Sequence, residues 1–407
     1  MEEHADQRYE ALEETVKERF SRHMKEKDAL TDQEALNIIE ETVFSDPSSG
    51  GLQESAELIR RLYQRMRCRT GILDPYIRDE RINEIMVNGP GHIFVEMRSG
   101  ITAAPEQFDS REELEDIIRN IAADVHREIN EMNPILDARL PDGSRVNAVY
   151  HNVAADGPVL TIRKFSPERI TIRQMITKGT LTRACADTLA LLVRCGYNIF
   201  ISGGTSSGKT TFLNALTDMI PENDRVIVIE DSRELMLPHI RDLVQMECHT
   251  ANTLGQGQVT MDMLIRTSLR MRPDRIIVGE VRGKEVADML QALNTGHDGS
   301  MSTGHGNSVR GMLRRLEAMY LMAARIPMDS IRGQIVEGID VMVHLIRTAE
   351  GKRQVSEVQE LVSVSGSEYV LNPLFRLNGE MKLEQTGNRI QRREKLRRAG
   401  DEDGDRL

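Results

Sequence analysis

Gly203-Gly204-Thr205-Ser206-Ser207-Gly208-Lys209-Thr210 follows the pattern GxxxxGK[ST], with the apolar run Asn198-Ile199-Phe200-Ile201 before it and the helical run Thr211-Phe212-Leu213-Asn214-Ala215-Leu216 after it. A strand that enters a helix through such a loop makes a phosphate cradle. Glycines let backbone N–H groups curl around phosphate oxygens, and the helix N-terminus adds partial positive charge. Lys209 is placed to reach the β and γ oxygens of a nucleoside triphosphate, and the Thr210 hydroxyl to ligate Mg²⁺. Residues 203–211, Thr211 included, are therefore expected to hold Mg²⁺-ATP.

Binding a triphosphate is not yet cleaving it, and cleavage needs a group that positions water. Two further apolar runs end in carboxylates. Val226-Ile227-Val228-Ile229 leads into Glu230-Asp231, with Glu234 close behind, and Ile276-Ile277-Val278 passes through Gly279 into Glu280. In an open parallel sheet the ligand lies outside the carboxyl ends of the strands, where such side chains collect. Glu280 is expected to orient the attacking water, and Glu230 and Asp231 to meet Mg²⁺ through water. The plainer alternative is that these acids only end strands near solvent. Residues 295–307 carry His297 and His305 among glycines, and a neutral imidazole can donate one hydrogen bond to phosphate while accepting another. A γ-phosphate sensor is the expected role. A metal site would want more carboxylates or thiols than Asp298 alone.

These residues need a scaffold, and 407 residues exceed what one hydrophobic core normally organises. Residues 1–70 read as helical: Leu12, Val16, Phe20 and Met24 share a face, Thr31 and Glu34 form a capping box, and residues 46–51 break the pattern before a helix that ends near Arg67. Residues 71–165 read as a smaller α+β domain. It holds a strand at 92–97, a helix capped by Ser110 with Leu114, Ile117, Ile118, Ile121 and Val125 on one face, and strands at 145–150 and 159–165. A polar connector is expected at 166–182, then an α/β domain at 183–380, then a flexible charged tail at 381–407.

Hydrophobic residues make up 39% of the chain and charged residues 29%, a folded rather than a disordered profile. A net charge of -11 and 4% aromatic residues speak against a general nucleic-acid binder. Four scattered cysteines, Cys68, Cys185, Cys195 and Cys248, suggest neither a disulfide framework nor a zinc knuckle, and are expected as buried thiols. With no signal-like N-terminus and no membrane-spanning run, a cytoplasmic location is expected.

The order of motifs, from the phosphate loop through IEDSREL and the Gly279-Glu280 strand end to TGHDGSMSTGHGN, resembles the type II/IV secretion-system ATPase superfamily. Its names for these are the Walker A, aspartate, atypical Walker B and histidine boxes. The upstream stretches ARLPDGSRVNAV and GPVLTIRKF look like that family's N-terminal domain, so the likeness extends over about residues 70–362. The CpaF-like branch, the ATPases of Flp or tight-adherence pilus assembly, is the nearest resemblance, and the two-CxxC zinc element of other branches is missing.

The resemblance implies a RecA-like P-loop domain behind a PAS-like α+β domain, a homo-hexameric ring, and attachment to an inner-membrane platform protein at the inner face of the cell membrane. It implies an ATPase motor for pilus assembly or secretion. It assigns Arg145 and Arg163, with Arg139, to the nucleotide, where a guanidinium can neutralise charge on the transferred phosphoryl. The rival classes are a DNA-translocating ring, which the acidic balance disfavours, and a nucleotide-gated scaffold without turnover, which Lys209 and Glu280 disfavour.

Overall fold

The computed structural model describes residues 2–26, 31–46, 51–67, 70–97, 99–165, 169–249 and 256–400. It divides into two units, residues 1–166 and 167–407.

In the first unit, α1 (Glu2–Glu26), α2 (Asp32–Ser45) and α3 (Leu52–Arg67) bury Tyr9, Leu12, Val16, Ile39, Val43 and Leu62 together. The spacing that puts Leu12, Val16 and Phe20 on one face is the cause, while the Met24 side chain lies outside the described residues. Thr31 starts α2 with the reciprocal capping box its sequence suggested. A 3-10 turn at Gly71–Leu73 and α4 (Asp74–Arg78) lead to β1 (Ile82–Asn88), β2 (Ile93–Met97), β3 (Gly100–Ala103), α5 (Arg111–Asp124), β4 (Ile135–Arg139), β5 (Arg145–Val149) and β6 (Val159–Arg163).

These strands make one sheet in the order β3-β2-β1-β6-β5-β4, each pair antiparallel. Alternation sends Ile85, Val87, Val146, Ala148, Leu160 and Ile162 to the core with Leu114, Ile117, Ile118 and Ile121 of α5. Strand register then aligns Arg139, Arg145, Arg163, Glu84 and Glu96 in one row across five strands.

The second unit runs α6 (Ile172–Thr177), α7 (Arg183–Arg194), β7 (Ile199–Gly203), α8 (Lys209–Thr217), β8 (Arg225–Glu230), β9 (Asp242–Glu247), α9 (Met261–Ser268), β10 (Arg275–Val278), α10 (Val286–Leu293), β11 (Met301–His305), α11 (Val309–Ala323), α12 (Met328–Gly338), β12 (Val341–Arg347), β13 (Arg353–Ser365), β14 (Glu368–Leu377), β15 (Leu383–Gln385) and α13 (Glu394–Arg398). The sheet order is β15-β14-β13-β12-β7-β11-β10-β8-β9. From β12 to β9 all neighbours are parallel, and β13 to β15 add an antiparallel flank. A sheet covered on both faces wants apolar residues on both, and β8 supplies them: Val226 and Val228 enter one core with α7 and α8, Ile227 and Ile229 the other with α9 to α12.

Two expected boundaries are corrected. Residues 166–182 are not simply a connector, because α6, started by a Thr171–Gln174 capping box, buries Met175 and is followed by buried Leu181 in the core of the second unit. Residues 381–400 are not a flexible tail. Leu383, Ile390 and Leu396 are buried, Arg392 and Lys395 pair with Asp340 at 3.2 and 2.7 Å, and the buried Glu360 carboxylate accepts the Gln391 and Arg392 N–H groups. Residues 401–407 lie outside the described residues. Of the cysteines, Cys185 is buried and its thiol pushed up to about 12 by that burial, Cys195 and Cys248 are half-buried, and Cys68 lies outside the described residues.

Candidate active site

Gly203 ends β7 in the middle of the parallel sheet, and the chain turns through residues 204–207 into α8. Ser206 and Gly208 both take left-handed backbone conformations, with φ of 57° and 89°. Gly208 has the residue type that this conformation favours, and it is the N-cap of α8. Helices α2, α5, α6, α7 and α11 each begin with a Ser or Thr side chain that accepts from a first-turn N–H; α8 has no side-chain cap hydrogen bond. α9, α10, α12 and α13 share that lack, so at α8 it leaves first-turn N–H groups without a side-chain acceptor, a setting in which helix N-termini attract anions.

Lys209 opens that helix and is buried, its Nζ donating to the Gly203 and Gly204 carbonyls at 3.3 Å each. Nζ is also 3.2 Å from His305 Nδ1. On the far side of the same ring, His305 Nε2 lies 2.9 Å from Glu280 Oε1, and Glu280 Oε2 accepts from Arg282 Nη2 at 2.9 Å. Arg282 reaches on to Asp231 at 3.3 Å. The result is a chain, Lys209 to His305 to Glu280 to Arg282 to Asp231, across the carboxyl ends of β7, β11, β10 and β8.

Electrostatics fixes the protons along it. Burial lowers the Lys209 pKa, with Glu280 opposing, and it lowers that of His305, with Lys209 and Arg282 adding to the effect and Glu280 opposing it. A neutral His305 facing the Lys209 ammonium through Nδ1 must carry its proton on Nε2, the nitrogen that lies 2.9 Å from Glu280 Oε1. Glu280 thus lies between the His305 ring and the Arg282 guanidinium and accepts from the latter.

Glu230 behaves differently from Asp231 beside it. Its buried carboxylate accepts the Glu234 and Leu235 N–H groups at 2.9 and 3.1 Å, and burial raises its pKa to about 7 against those hydrogen bonds. It lies over Gly279, where an added Cβ would approach Glu230 Cγ to 2.9 Å. The glycine at this strand end thus makes room for the neighbouring strand's glutamate.

A carboxyl raised on folding stabilises the fold fully below about pH 4.5 and loses that contribution as pH rises through about 7, a total of about 3 kcal/mol. Glu230→Gln keeps an acceptor without the ionisation. Its stability relative to wild type is expected to grow by about 3 kcal/mol between pH 4.5 and 8 in urea unfolding, and a constant difference would show that Glu230 titrates normally.

Beside the phosphate loop opens a cavity of ≈ 340 Å³, bounded by Ser207, Gly208, Thr211 and Phe212 on one side and by Ile170, Met175 and Thr180 around α6 on another. The β12–β13 hairpin closes it with Leu345, Gly351, Lys352 and Arg353. Arg353 Nε also donates to the Ser206 carbonyl at 3.1 Å, bracing the loop from outside.

The sequence matches the family described as Type II/IV secretion system protein over residues 68–389. The chain belongs to this family. Among curated members, an uncharacterized protein of Methanocaldococcus jannaschii is 45% identical over 244 residues, 58% of this chain, although the match spans only 33% of that protein. The type IV secretion system protein PtlH of Bordetella pertussis is 33% identical over 308 residues, which cover 69% of this chain and 91% of PtlH. The crystal structure of the pilus retraction motor PilT with bound ADP superposes with a TM-score of 0.53 at 18% identity, covering 72% of this chain and 83% of that one. That likeness is one of fold, and it makes the second unit a RecA-like α/β unit.

Within this family member the expected site residues do not all converge. Thr205 and Ser206 are exposed at the loop tip and Ser207 is buried. Glu234 contributes its backbone N–H to Glu230. His297 is a correction. β11 runs parallel to β7, with Met301 opposite Ile199 and His305 opposite Gly203, so about 13 Å of strand separates the His297 end from the phosphate loop. There His297 Nδ1 bonds the Ala292 carbonyl at 3.0 Å, and Met301–His305 of the expected sensor loop form a central strand. Arg139, Arg145 and Arg163 belong to the other unit. Arg282, Arg353 and the cavity residues outside the phosphate loop were missed. The Glu280-Val281-Arg282 alternation was the available signal for Arg282, since it puts both side chains on one side of an extended segment.

Proposed function

We propose that this chain is a Mg²⁺-dependent ATP hydrolase of the CpaF-like branch that works as a homo-hexamer and drives pilus assembly or protein secretion. The observation that carries the reading is the contact chain from Lys209 through His305 to Glu280 at the uncapped start of α8. It gathers a cation for the β and γ oxygens, a neutral imidazole able to report on the terminal phosphate, and a carboxylate able to hold water, all at one edge of the sheet.

In the nucleotide-bound state Lys209 exchanges the Gly203 and Gly204 carbonyls for phosphate oxygens. Glu280, oriented by His305 and Arg282, accepts a hydrogen bond from the attacking water and aims it. The cavity beside Gly208 takes the nucleoside, its apolar walls Ile170, Met175, Phe212 and Leu345 suiting a base. Thr210 and Asp231 offer hard oxygen donors, and among the described residues no group of three His, Cys, Asp or Glu could hold a metal alone, which fits an ion that keeps waters and shares phosphate. Thr210 would hold Mg²⁺ directly, with Asp231 and Glu230 meeting it through water; the ion supplies neutralisation of phosphate charge.

The reading assigns Arg145 and Arg163, with Arg139, to the transferred phosphoryl. Cationic side chains directly opposite one another in a sheet repel, which is costly for folding and useful for binding anions. Among the described residues no helix is long and apolar enough to cross a membrane, so the reading places the ATPase at the membrane through an inner-membrane platform protein. Steady-state phosphate release by the purified full chain tests the whole. Mg²⁺-dependent turnover is expected, and its absence from hexameric protein supplied with its platform protein would overturn the reading.

A further inference from the structure

Residues 204–207 join the end of β7 to the N-cap of α8, and few bonds hold them. The Ser207 N–H donates to the Gly204 carbonyl at 3.3 Å, and Lys209 Nζ reaches the same carbonyl at 3.3 Å. Among the described residues, one side chain from outside the loop and α8 hydrogen-bonds this stretch: Arg353 Nε donates to the Ser206 carbonyl at 3.1 Å. When Lys209 turns to phosphate it leaves Gly204. The Arg353 bond is then the side-chain tie that remains.

That tie falls where the backbone needs one. Ser206 stands at φ 57°, a left-handed conformation that crowds the Cβ of any residue but glycine and persists only where the surroundings hold it. Gly208, also left-handed, lies against the same side chain, since an added Cβ would meet Arg353 Cδ at 3.0 Å. The arginine stem thus covers one of these residues while its Nε holds the other. A trans peptide sets its C=O and N–H on opposite sides, so a Ser206 carbonyl turned to Arg353 turns the Ser207 N–H away from it, toward the Gly204 carbonyl. Arg353 itself is anchored in the sheet. It opens β13 opposite Arg347 of β12, and β12 runs beside β7 with Leu345 opposite Gly203. Neighbouring Lys352 pairs with Glu350 at 3.2 Å, whereas Arg353 makes no ion pair among the described residues.

We propose that Arg353 is a positioning residue for the phosphate loop: its Nε–H holds the Ser206–Ser207 peptide in the orientation that offers the Ser207 N–H to phosphate. A loop already in its binding conformation pays less to bind, so Arg353 sets the affinity for nucleotide rather than the rate of cleavage. The inference rests on the ATPase reading and adds to it a residue of the β12–β13 hairpin that acts through the loop backbone.

Three substitutions separate the parts of this side chain. Glutamine places an amide N–H as many bonds from the backbone as Arg353 Nε and carries no charge, methionine has that length without a donor, and lysine keeps the charge but moves its donors one atom further out. Steady-state ATPase and equilibrium binding of ATP and ADP are measured on the full chain. Arg353→Met is expected to raise KM for ATP and Kd for ADP about 10-fold, with kcat within ~3-fold and the melting temperature of the nucleotide-free protein unchanged. Arg353→Gln is expected to stay within ~3-fold of wild type in all of these. If Arg353→Met does not fold, Arg353→Leu takes its place beside glutamine. Apolar-variant binding within ~3-fold of wild type, a loss confined to kcat, or an Arg353→Gln as weak as Arg353→Met would each overturn the proposal. Rescue by Arg353→Lys but not by Arg353→Gln would overturn it too, showing a guanidinium that acts by its charge on the nucleotide. A wild type that binds no nucleotide removes this inference together with the ATPase reading. One that binds without turnover removes that reading alone, and the dissociation constants then decide the role of Arg353.

Discussion

Lys209→Ala is expected to lower ATP turnover by at least ~1,000-fold while the nucleotide-free protein melts no lower than wild type. The two halves of that result have one cause. Without nucleotide the Lys209 ammonium is buried, bonded to the Gly203 and Gly204 carbonyls and the His305 ring, and its pKa is depressed by desolvation. Removing it relieves a desolvated cation whose hydrogen bonds are long, so the fold loses little. With nucleotide, the same ammonium meets β and γ oxygens in a site shielded from water, where a charge-assisted hydrogen bond gains strength as charge develops. Thermal shift separates the two states. Wild type at 100 times its Kd for ATP should gain about 2.7 kcal/mol, and Lys209→Ala should gain almost none. A variant that melts well below wild type without ATP would instead mark Lys209 as a structural residue.

The parts of this site that were readable in the sequence are those whose chemistry is contiguous. Gly203 to Thr211 form a cradle from consecutive backbone amides, and Glu280 follows its own strand directly, so a linear pattern captures both. Arg282 could be seen only as a charge two residues on; that it bridges Glu280 and Asp231 depends on β8 and β10 lying side by side. β11 was hidden because Met-Ser-Thr-Gly-His has no β-branched run. Its polar side chains are accommodated inside the sheet, where Thr303 Oγ1 donates to the Gly279 carbonyl at 2.8 Å, and Gly304 admits Met312 and Phe200 so closely that a Cβ would meet them at 2.9 and 3.0 Å. Reading the stretch as a loop therefore hid that His297 lies at the end of β11 away from the phosphate loop. The C-terminal segment misled for another reason. Leu383, Ile390 and Leu396 are too widely spaced among charges to show any period, and the charges of Arg392 and Lys395 are matched by Asp340 and Asp298, which lie far away in sequence. α6 was legible and was passed over, since Thr171 and Gln174 spell the same capping signature as Thr31 and Glu34.

Glu280→Gln should give the complementary phenotype, ATP bound about as tightly as in wild type but turned over ~100- to 1,000-fold more slowly, the equivalent of about 3–4 kcal/mol in the transition state. Glutamine keeps the length of the side chain and an oxygen to face His305 Nε2, so the ring can stay between Lys209 and residue 280. The substitution also removes the negative charge that raises the His305 pKa, which leaves the ring more firmly neutral and its tautomer unchanged. Two things are lost. The amide is a poorer acceptor for a water that must be aimed and partly deprotonated, and Arg282 no longer has a carboxylate at 2.9 Å, although Asp231 at 3.3 Å still holds it. The loss should therefore fall on kcat, with KM for ATP nearly unchanged, and the variant should accumulate ATP-bound protein that wild type depletes. Trapped radiolabelled nucleotide analysed after rapid quench distinguishes the cases: bound ATP in the variant and bound ADP in wild type support the water-orienting role, whereas equal turnover would move that role to another carboxylate and leave Glu280 as an anchor for His305 and Arg282.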